Sequence, residues 1–444
     1  MPAVKRTRRT RLTRSARPEL AVVLNGALVG HVYRSGNRRL VLRYDDAWRT
    51  RAGAFPLSLS MPLKDPEHGH QATSAFLSGL LPDDPKVVEY WARLHGVSRY
   101  DIVKLLAHVG EDCAGAVQLV SPEEVDRVLG ASGAADAATS IDWLSTGDVA
   151  ELLMALRRNP AAGRSSGEQG QFSLAGAQPK TTLYHEGEHW GIPKGRVPST
   201  HILKPPVLDL DDLAYNEHFC LHLARELGMP AAISTVQLFG DEIAIVVERY
   251  DRARSRGIVY RIHQEDMCQA LAVQPTRKYE SDGGPGLTDI AAILARHSSD
   301  ASVDVARFFD ANILNWLVAG PDAHAKNYSI LHANGPDHRF APLYDVITTL
   351  PYPRLAKSGA KLAMAVGGER AVGAIARDQW RAAARAVELP ADLAIDRIVE
   401  LGERVPAAIE RVIQHPDGNE DTRAIMTRLA EPIADHVRRR IKRL

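Results

Sequence analysis

Cysteine is scarce in this chain: Cys113, Cys220 and Cys268 are three among 444 residues, far apart and without a CxxC pair. That argues against a disulfide framework or a cysteine zinc site and fits a reducing compartment, read here as the cytoplasm. Long apolar runs are lacking too. The basic N-terminus leads into one short run, Leu20 to Leu28, interrupted by Asn25-Gly26 and followed by no small-residue cleavage pattern. Nothing approaches the roughly 20 apolar residues of a span, so neither an export signal nor a membrane partner is expected. An excess of one charge is also missing. The 55 Lys and Arg stand against 54 Asp and Glu, and no global field points to nucleic acid or a membrane surface.

What is there is ordinary for a globular protein: 45% apolar and 25% charged residues, in a chain long enough for one large or two to three ordinary domains. The positive charge is nevertheless uneven. Lys5, Arg6, Arg8, Arg9, Arg11, Arg14 and Arg17 crowd one end, and Arg438, Arg439, Arg440, Lys442 and Arg443 the other. These are either solvated, frayed tails or contacts to a phosphate backbone.

Short strands open the chain. Ala21 to Leu24 runs into Asn25-Gly26, a hairpin signal, with Val29 to Tyr33 returning and Leu40 to Tyr44 as a third strand. Residues 73–108 turn helical, through Val87, Val88, Trp91, Leu94, Ile102, Leu105 and Leu106. Residues 122–170 have the small, polar composition of a linker around a helix at 147–157. Strands resume at Phe172 to Ala175, Lys180 to His185 and His201 to Lys204, before an amphipathic helix from Asp211 to Leu227 and a hairpin around Gly240-Asp241. From about 262 the pattern is mainly helical apart from one hairpin. The expected division is a basic tail (1–18), an N-terminal subdomain (19–121), a linker (122–170), a small strand-rich lobe (171–260) and a helical lobe (261–444). The fold class is therefore α+β: a two-lobed, atypical protein-kinase-like fold.

The strongest chemical signal is Asp322-Ala323-His324-Ala325-Lys326-Asn327. Phosphoryl transfer to a hydroxyl needs a carboxylate to take its proton and an oxygen ligand for magnesium nearby. Asp322 and Asn327 stand five positions apart, as in kinase catalytic loops, after an apolar helix ending at Gly320-Pro321. A hairpin from Tyr328 to Tyr344 would return Asp345 beside Asn327 as a second magnesium ligand. Lys326 lies near phosphate or is a solvated loop lysine. Ala175-Gly176-Ala177-Gln178-Pro179-Lys180 has small residues that let backbone N–H groups approach phosphates, although Gly176 could equally serve a turn. Lys204 ends a strand and Glu217 on the next helix is its candidate partner. Glu248-Arg249-Tyr250 occupies a hinge position where backbone groups could meet adenine, or is an ordinary loop.

Together, Ser173 to Lys180, His201 to Lys204, Val247 to Arg252, Gln264-Glu265-Asp266, Asp322 to Asn327 and Leu343-Tyr344-Asp345 resemble the HipA family of toxin kinases. Pro56 to Ser60, Leu80-Leu81-Pro82-Asp83 and Gly110 to Ala116 extend the resemblance over roughly residues 20–365. It implies a serine/threonine kinase using ATP and Mg2+, with Asp322 as base and Asn327 and Asp345 as metal ligands. Ala175 to Lys180, Lys204, Glu248, Tyr250, and His324, Ala325, Lys326 and Asn327 would contact ATP, with Tyr344 and Asp345 closing the site. Ser173 matches the family's autophosphorylated serine. Implied partners are a helix-turn-helix antitoxin, operator DNA through that complex, and an aminoacyl-tRNA synthetase as substrate. Ala319-Gly320-Pro321 departs from the pair more usual before the catalytic aspartate, which touches loop geometry. Alternatives are a corepressor role, suggested by the basic ends, and a small-molecule kinase, which would leave the N-terminal motifs unexplained.

Overall fold

The computed structural model describes residues 17–130, 140–161, 172–207, 212–333, 335–352, 359–414 and 420–444. The basic residues Lys5 to Arg14, the glycine-rich stretch 163–170 and Asp211 lie outside the described residues.

The N-terminal part is a five-stranded antiparallel sheet, in the order β4-β3-β2-β1-β6, built from β1 (Pro18–Leu24), β2 (Ala27–Arg34), β3 (Leu40–Tyr44), β4 (Glu67–His68) and β6 (Val117–Val120). The expected hairpin forms at Asn25 (φ 47°) and Gly26 (φ 75°), both left-handed as a tight two-residue turn requires. Leu20, Val22 and Leu24 alternate onto one face and meet Phe76, Leu77, Leu105 and Leu106. Those residues come from α2 (His70–Gly79) and α4 (Ile102–Val109), with α3 (Pro85–Leu94) beside them; α1 (Asp46–Thr50) follows β3.

A six-stranded sheet forms the small lobe, in the order β12-β13-β11-β9-β10-β7. It comprises β7 (Ile141–Leu144), β9 (Thr181–Glu186), β10 (His189–Pro193), β11 (His201–Lys204), β12 (Ser234–Phe239) and β13 (Glu242–Glu248). The stretch read as linker thus supplies an edge strand and, after the short α5 (Val125–Val128), the helix α6 (Thr146–Arg158). Val149, Leu153 and Leu156 of α6 pack under the sheet with Leu203 and Val246. The amphipathic helix appears as α7 (Leu213–Glu226), close to its expected bounds. The expected strand Phe172 to Ala175 shortens to β8 (Phe172–Ser173), paired in parallel with β5 (Asp112–Cys113) of the N-terminal part.

The helical lobe contains α9 (Leu287–His297), α10 (Ala301–Leu317), α11 (Arg377–Ala386), α12 (Ala391–Ile413) and α13 (Glu420–Ile441) around Trp316, Trp380 and Phe308. More strand is present here than the periodicity suggested. The hairpin β14 (Arg252–Ser255) and β15 (Ile258–Arg261) comes first, at the end of the small lobe. The expected hairpin then forms as β17 (Ser329–His332) and β18 (His338–Phe340), and β16 (His263–Asp266), followed by α8 (Met267–Ala270), joins it as a third strand. A further hairpin links β19 (Lys361–Val366) and β20 (Glu369–Ala371). The C-terminal basic cluster is not frayed: Arg438 to Arg440 sit on the last turn of α13, and Arg440 donates to the Gly373 carbonyl at 2.9 Å.

Candidate active site

A cleft of about 430 Å3 separates the lobes. Strand β11 brings Lys204 to its wall and α7 supplies Glu217 from behind. Lys204 Nζ lies 2.8 and 3.0 Å from the Glu217 carboxylate oxygens and 3.1 Å from Asp345 Oδ1. Burial opposes the lysine's charge, but Asp345 and Glu217 more than offset it and raise its pKa. At Asp345, burial pulls upward and Lys204 and Lys180 pull harder, holding the carboxyl at about 2. Asp345 also sits in the left-handed region, φ 57°. An aspartate tolerates that backbone better than most residues, and such positions cluster at functional sites.

The segment Asp322 to Asn327 is braced by its own hydrogen bonds. Asn327 Nδ2 donates to the Asp322 carbonyl at 2.7 Å, and His324 N–H to the same oxygen at 2.8 Å. With its amide nitrogen engaged, Asn327 keeps its side-chain oxygen as the available acceptor. Gly320, just before the loop, has no room for a side chain: a Cβ there would stand 2.7 Å from Asn315 Oδ1 and 2.9 Å from the Ile347 carbonyl oxygen. Burial raises the Asp322 carboxyl, partly countered by Tyr279, whose phenol donates to Oδ1 at 2.5 Å. Burial holds His324 neutral, at about 4, and its Nδ1 is buried without a hydrogen-bond partner among the described residues. Tyr344 Oη donates to the Lys326 carbonyl at 2.8 Å and its ring lies 5.7 Å from that of Tyr250.

Across the cleft, Gly176 adopts φ 107°, and a Cβ on it would fall 2.3 Å from Lys180 Nζ. Only glycine suits that turn. Lys180 Nζ donates to the Ala175 carbonyl at 2.7 Å; burial, and then Lys204, lowers its pKa to about 8. At the hinge, the N–H groups of Glu248 and Arg249 already donate to the carbonyls of Ile233 and Thr200, at 2.8 and 2.9 Å.

Of the residues singled out in sequence, Ala175, Gly176, Ala177, Gln178, Pro179, Lys180, Lys204, Glu248, Tyr250, Asp322, His324, Lys326, Asn327, Tyr344 and Asp345 line this one cleft. Two stand apart. Ala325 is fully buried behind its loop, its N–H on the Lys278 carbonyl at 3.3 Å. Ser173 is buried beneath the loop of residues 175–180, donating to the Leu80 carbonyl at 2.8 Å. Among the described residues no group of three or more His, Cys, Asp or Glu is set to hold a metal. One carboxylate and one amide oxygen, Asp345 and Asn327, nevertheless fit magnesium, which takes most of its ligands from phosphates and water.

Sequence reasoning gave Asp83 and Asp266 no role in the cleft, although both stand in the motifs named above, and it passed over Lys278 and Tyr279. Asp83 accepts from Lys278 Nζ at 2.7 Å and from Lys326 Nζ. Asp266 caps α8 through the Gln269 N–H at 2.9 Å, and burial pushes its carboxyl up to about 7. The glycine-rich run Gly283-Gly284-Pro285-Gly286 was the available signal for the tight turn that aims Lys278 and Tyr279.

The remaining motifs join the parts. Ser58 Oγ and Leu59 N–H donate to the Glu265 carboxylate at 2.5 and 2.7 Å. Asp112 is buried among Arg249, Arg252 and Arg261, at 3.2, 2.9 and 3.5 Å. Asp251 accepts from Gly115 N–H at 2.7 Å.

Two lobes, a strand lysine bridging a helix glutamate and a cleft aspartate, and an Asp–x4–Asn loop define a protein kinase. The chain belongs to the HipA family of serine/threonine kinase toxins. The HipA-like C-terminal domain model matches residues 172–409 and the HipA N-terminal domain model residues 20–120. Y4mE of Sinorhizobium fredii is 34% identical over 398 residues, spanning 89% of this chain and 92% of that protein. The serine/threonine-protein kinase toxin HipA of Shewanella oneidensis is 30% identical over 390 residues, 84% of each chain. A solved structure of Shewanella oneidensis HipA with HipB and its operator DNA superposes with a TM-score of 0.80 at 26% identity, covering 95% of this chain and 97% of that one. Kinase chemistry implies ATP as phosphate donor, usually with a divalent metal. Among the described residues no helix is long and apolar enough to cross a membrane.

Proposed function

We propose that this chain is a Mg-ATP-dependent serine/threonine kinase acting as the toxin of a toxin–antitoxin module. The convergence of Lys204, Asp322, Asn327 and Asp345 on one cleft carries the reading. Asp322 accepts the proton of a substrate hydroxyl as its oxygen bonds to the γ-phosphorus and the bond to the β-phosphate oxygen breaks, releasing ADP. Lys204 and Lys180 offer positive charge to the phosphates, and the small residues Ala175 to Ala177 let backbone N–H groups approach them. Asn327 and Asp345 would hold magnesium, which supplies neutralisation of triphosphate charge. Because two hinge N–H groups are engaged, adenine would be met by Tyr250 and by carbonyl oxygens.

Residues 19–121 would form the N-terminal subdomain, with 171–260 and 261–444 as the two kinase lobes. Ser173 is proposed as the site of self-phosphorylation. Its hydroxyl is buried against the Leu80 carbonyl, so the phosphate loop must leave its seat for the reaction. A phosphate carrying nearly two negative charges could not return there. By likeness to the Shewanella oneidensis complex with HipB and operator DNA, partners are an antitoxin and operator DNA; the family resemblance adds that the antitoxin is a helix-turn-helix protein and that the target is an aminoacyl-tRNA synthetase.

The deciding experiment is phosphate transfer from labelled ATP by wild type and Asp322→Gln, with phosphoproteomics after brief induction to identify the target. Undiminished labelling in the variant refutes the reading. The corepressor reading rests on Arg438, Arg439, Lys442 and Arg443, exposed at the end of α13. Gel shifts with antitoxin present should weaken, with a shallower salt slope, when these are replaced; unchanged binding removes that role.

A further inference from the structure

We propose that Asp83, contributed by the N-terminal part, is a positioning residue for phosphoryl transfer that acts through Lys326 of the catalytic loop. The inference rests on the kinase reading of the cleft and extends it to the part of the chain outside the two lobes.

Asp83 touches both sides of the cleft. Its carboxylate lies between Lys326 Nζ and Lys278 Nζ, the latter at 2.7 Å. Its own N–H donates to the Gly176 carbonyl of the phosphate loop at 3.3 Å. Three residues earlier, the Leu80 carbonyl holds Ser173. The segment Leu80-Leu81-Pro82-Asp83 therefore ties the phosphate loop to the catalytic loop, and Pro82 and Pro85 stiffen the chain on either side.

Lys326 depends on this contact. Its side chain is 2% exposed and that of Asp83 14%. Without the carboxylate the buried ammonium loses its ion-pair partner and keeps only the weaker pull of Asp266, so it must neutralise, move or draw in water. Movement of Lys326 carries the loop with it: its carbonyl holds Tyr344, and the next residue, Asn327, braces the Asp322 carbonyl. A displacement on the order of 1 Å at such a loop can cost about 100-fold in rate. A merely adhesive role for Asp83 is the competing account. Docking of the N-terminal part, however, already rests on the Asp112–arginine cluster and on Ser58 and Leu59 with Glu265. Loss of one further ion pair would therefore leave the parts joined.

The test uses the full chain and follows phosphate incorporation from labelled ATP into the chain and into casein, across ATP concentrations, alongside thermal melting. Asp83→Asn is expected to lower the maximal rate roughly 100-fold while leaving half-saturating ATP within about threefold. Asp83→Glu, which keeps the charge, should recover about tenfold of that loss. The double variant with Lys326→Met should be no slower than Lys326→Met alone, since one acts through the other. The proposal is overturned if Asp83→Asn keeps the wild-type rate, if the double variant shows the product of the single losses, or if Asp83→Asn and Asp83→Glu lose melting temperature and rate together. Asp322→Gln runs in parallel. Full incorporation there brings down the kinase reading itself, whereas a dead Asp322→Gln with an indifferent Asp83→Asn removes the Asp83 role alone.

Discussion

Tyr279 donates its phenolic proton to Oδ1 of Asp322 across 2.5 Å, which leaves Oδ2 for the substrate hydroxyl in the proposed reaction. The tyrosine is fixed in turn by a tight turn in which the Gly284 N–H meets its carbonyl at 2.9 Å. Tyr279→Phe is expected to slow phosphate transfer about tenfold without changing half-saturating ATP, because an orienting bond to the base is lost while the nucleotide side is untouched. Steady-state kinetics at varied ATP check this.

Lys204→Met would leave Glu217, 2% exposed, without its cation. Breaking a buried pair from one side costs about 3–5 kcal/mol. A clear fall in the denaturation midpoint is expected, together with loss of ATP binding. Lys204→Met with Glu217→Leu should recover much of the stability and none of the binding; urea titration and a fluorescent ATP analogue separate the two.

Ser173→Ala removes one buried hydrogen bond, worth about 1 kcal/mol, and should stay folded and bind nucleotide. Ser173→Asp places a charge against the Leu80 carbonyl in a site with no exposure. Nucleotide binding should fall below detection while the far-ultraviolet circular dichroism is kept. Equal binding by both variants would contradict the burial argument.

The Asp112–Asp251 cluster makes a prediction about acid. Burial favours the neutral form of Asp251, but Arg249 and Arg252 outweigh it and hold the carboxyl at about 2, below the ordinary 3.8. Asp112 is lowered as well, by Arg249, Arg252 and Arg261 acting against burial. A depressed carboxyl contributes stability above its unfolded value and loses it as pH falls through the folded one. The cluster's own contribution to the melting temperature should therefore hold as a plateau down to about pH 4 and drop between about pH 4 and 2, separate from the loss that begins at higher pH as buried neutral histidines such as His324 resist charging. In Arg249→Met the plateau itself should be lower, and calorimetry across this range reads both effects.

The chemistry-bearing loops were legible because their spacing is local: Asp322 to Asn327 is one segment, and the hairpin returning Asp345 announces itself in alternating strands. Lys204 and Glu217 were legible as a strand end and a helix face. The rest depends on meetings between distant segments that no period encodes. Asp83 meets Lys278 and Lys326 across 195 and 243 positions, and Tyr279 meets Asp322 across 43. Composition misled at Ile141 to Leu144, where an edge strand has no long apolar run to mark it. In the helical lobe, β16 and β20 are too short to outweigh the surrounding helical pattern.

One acid and three guanidiniums bind separate portions of this polypeptide at Asp112. Shuffling N-terminal portions among relatives is thereby constrained. A chimera whose graft lacked that acid would enclose three like charges with one fewer counterweight, so the two portions must be inherited as a matched set.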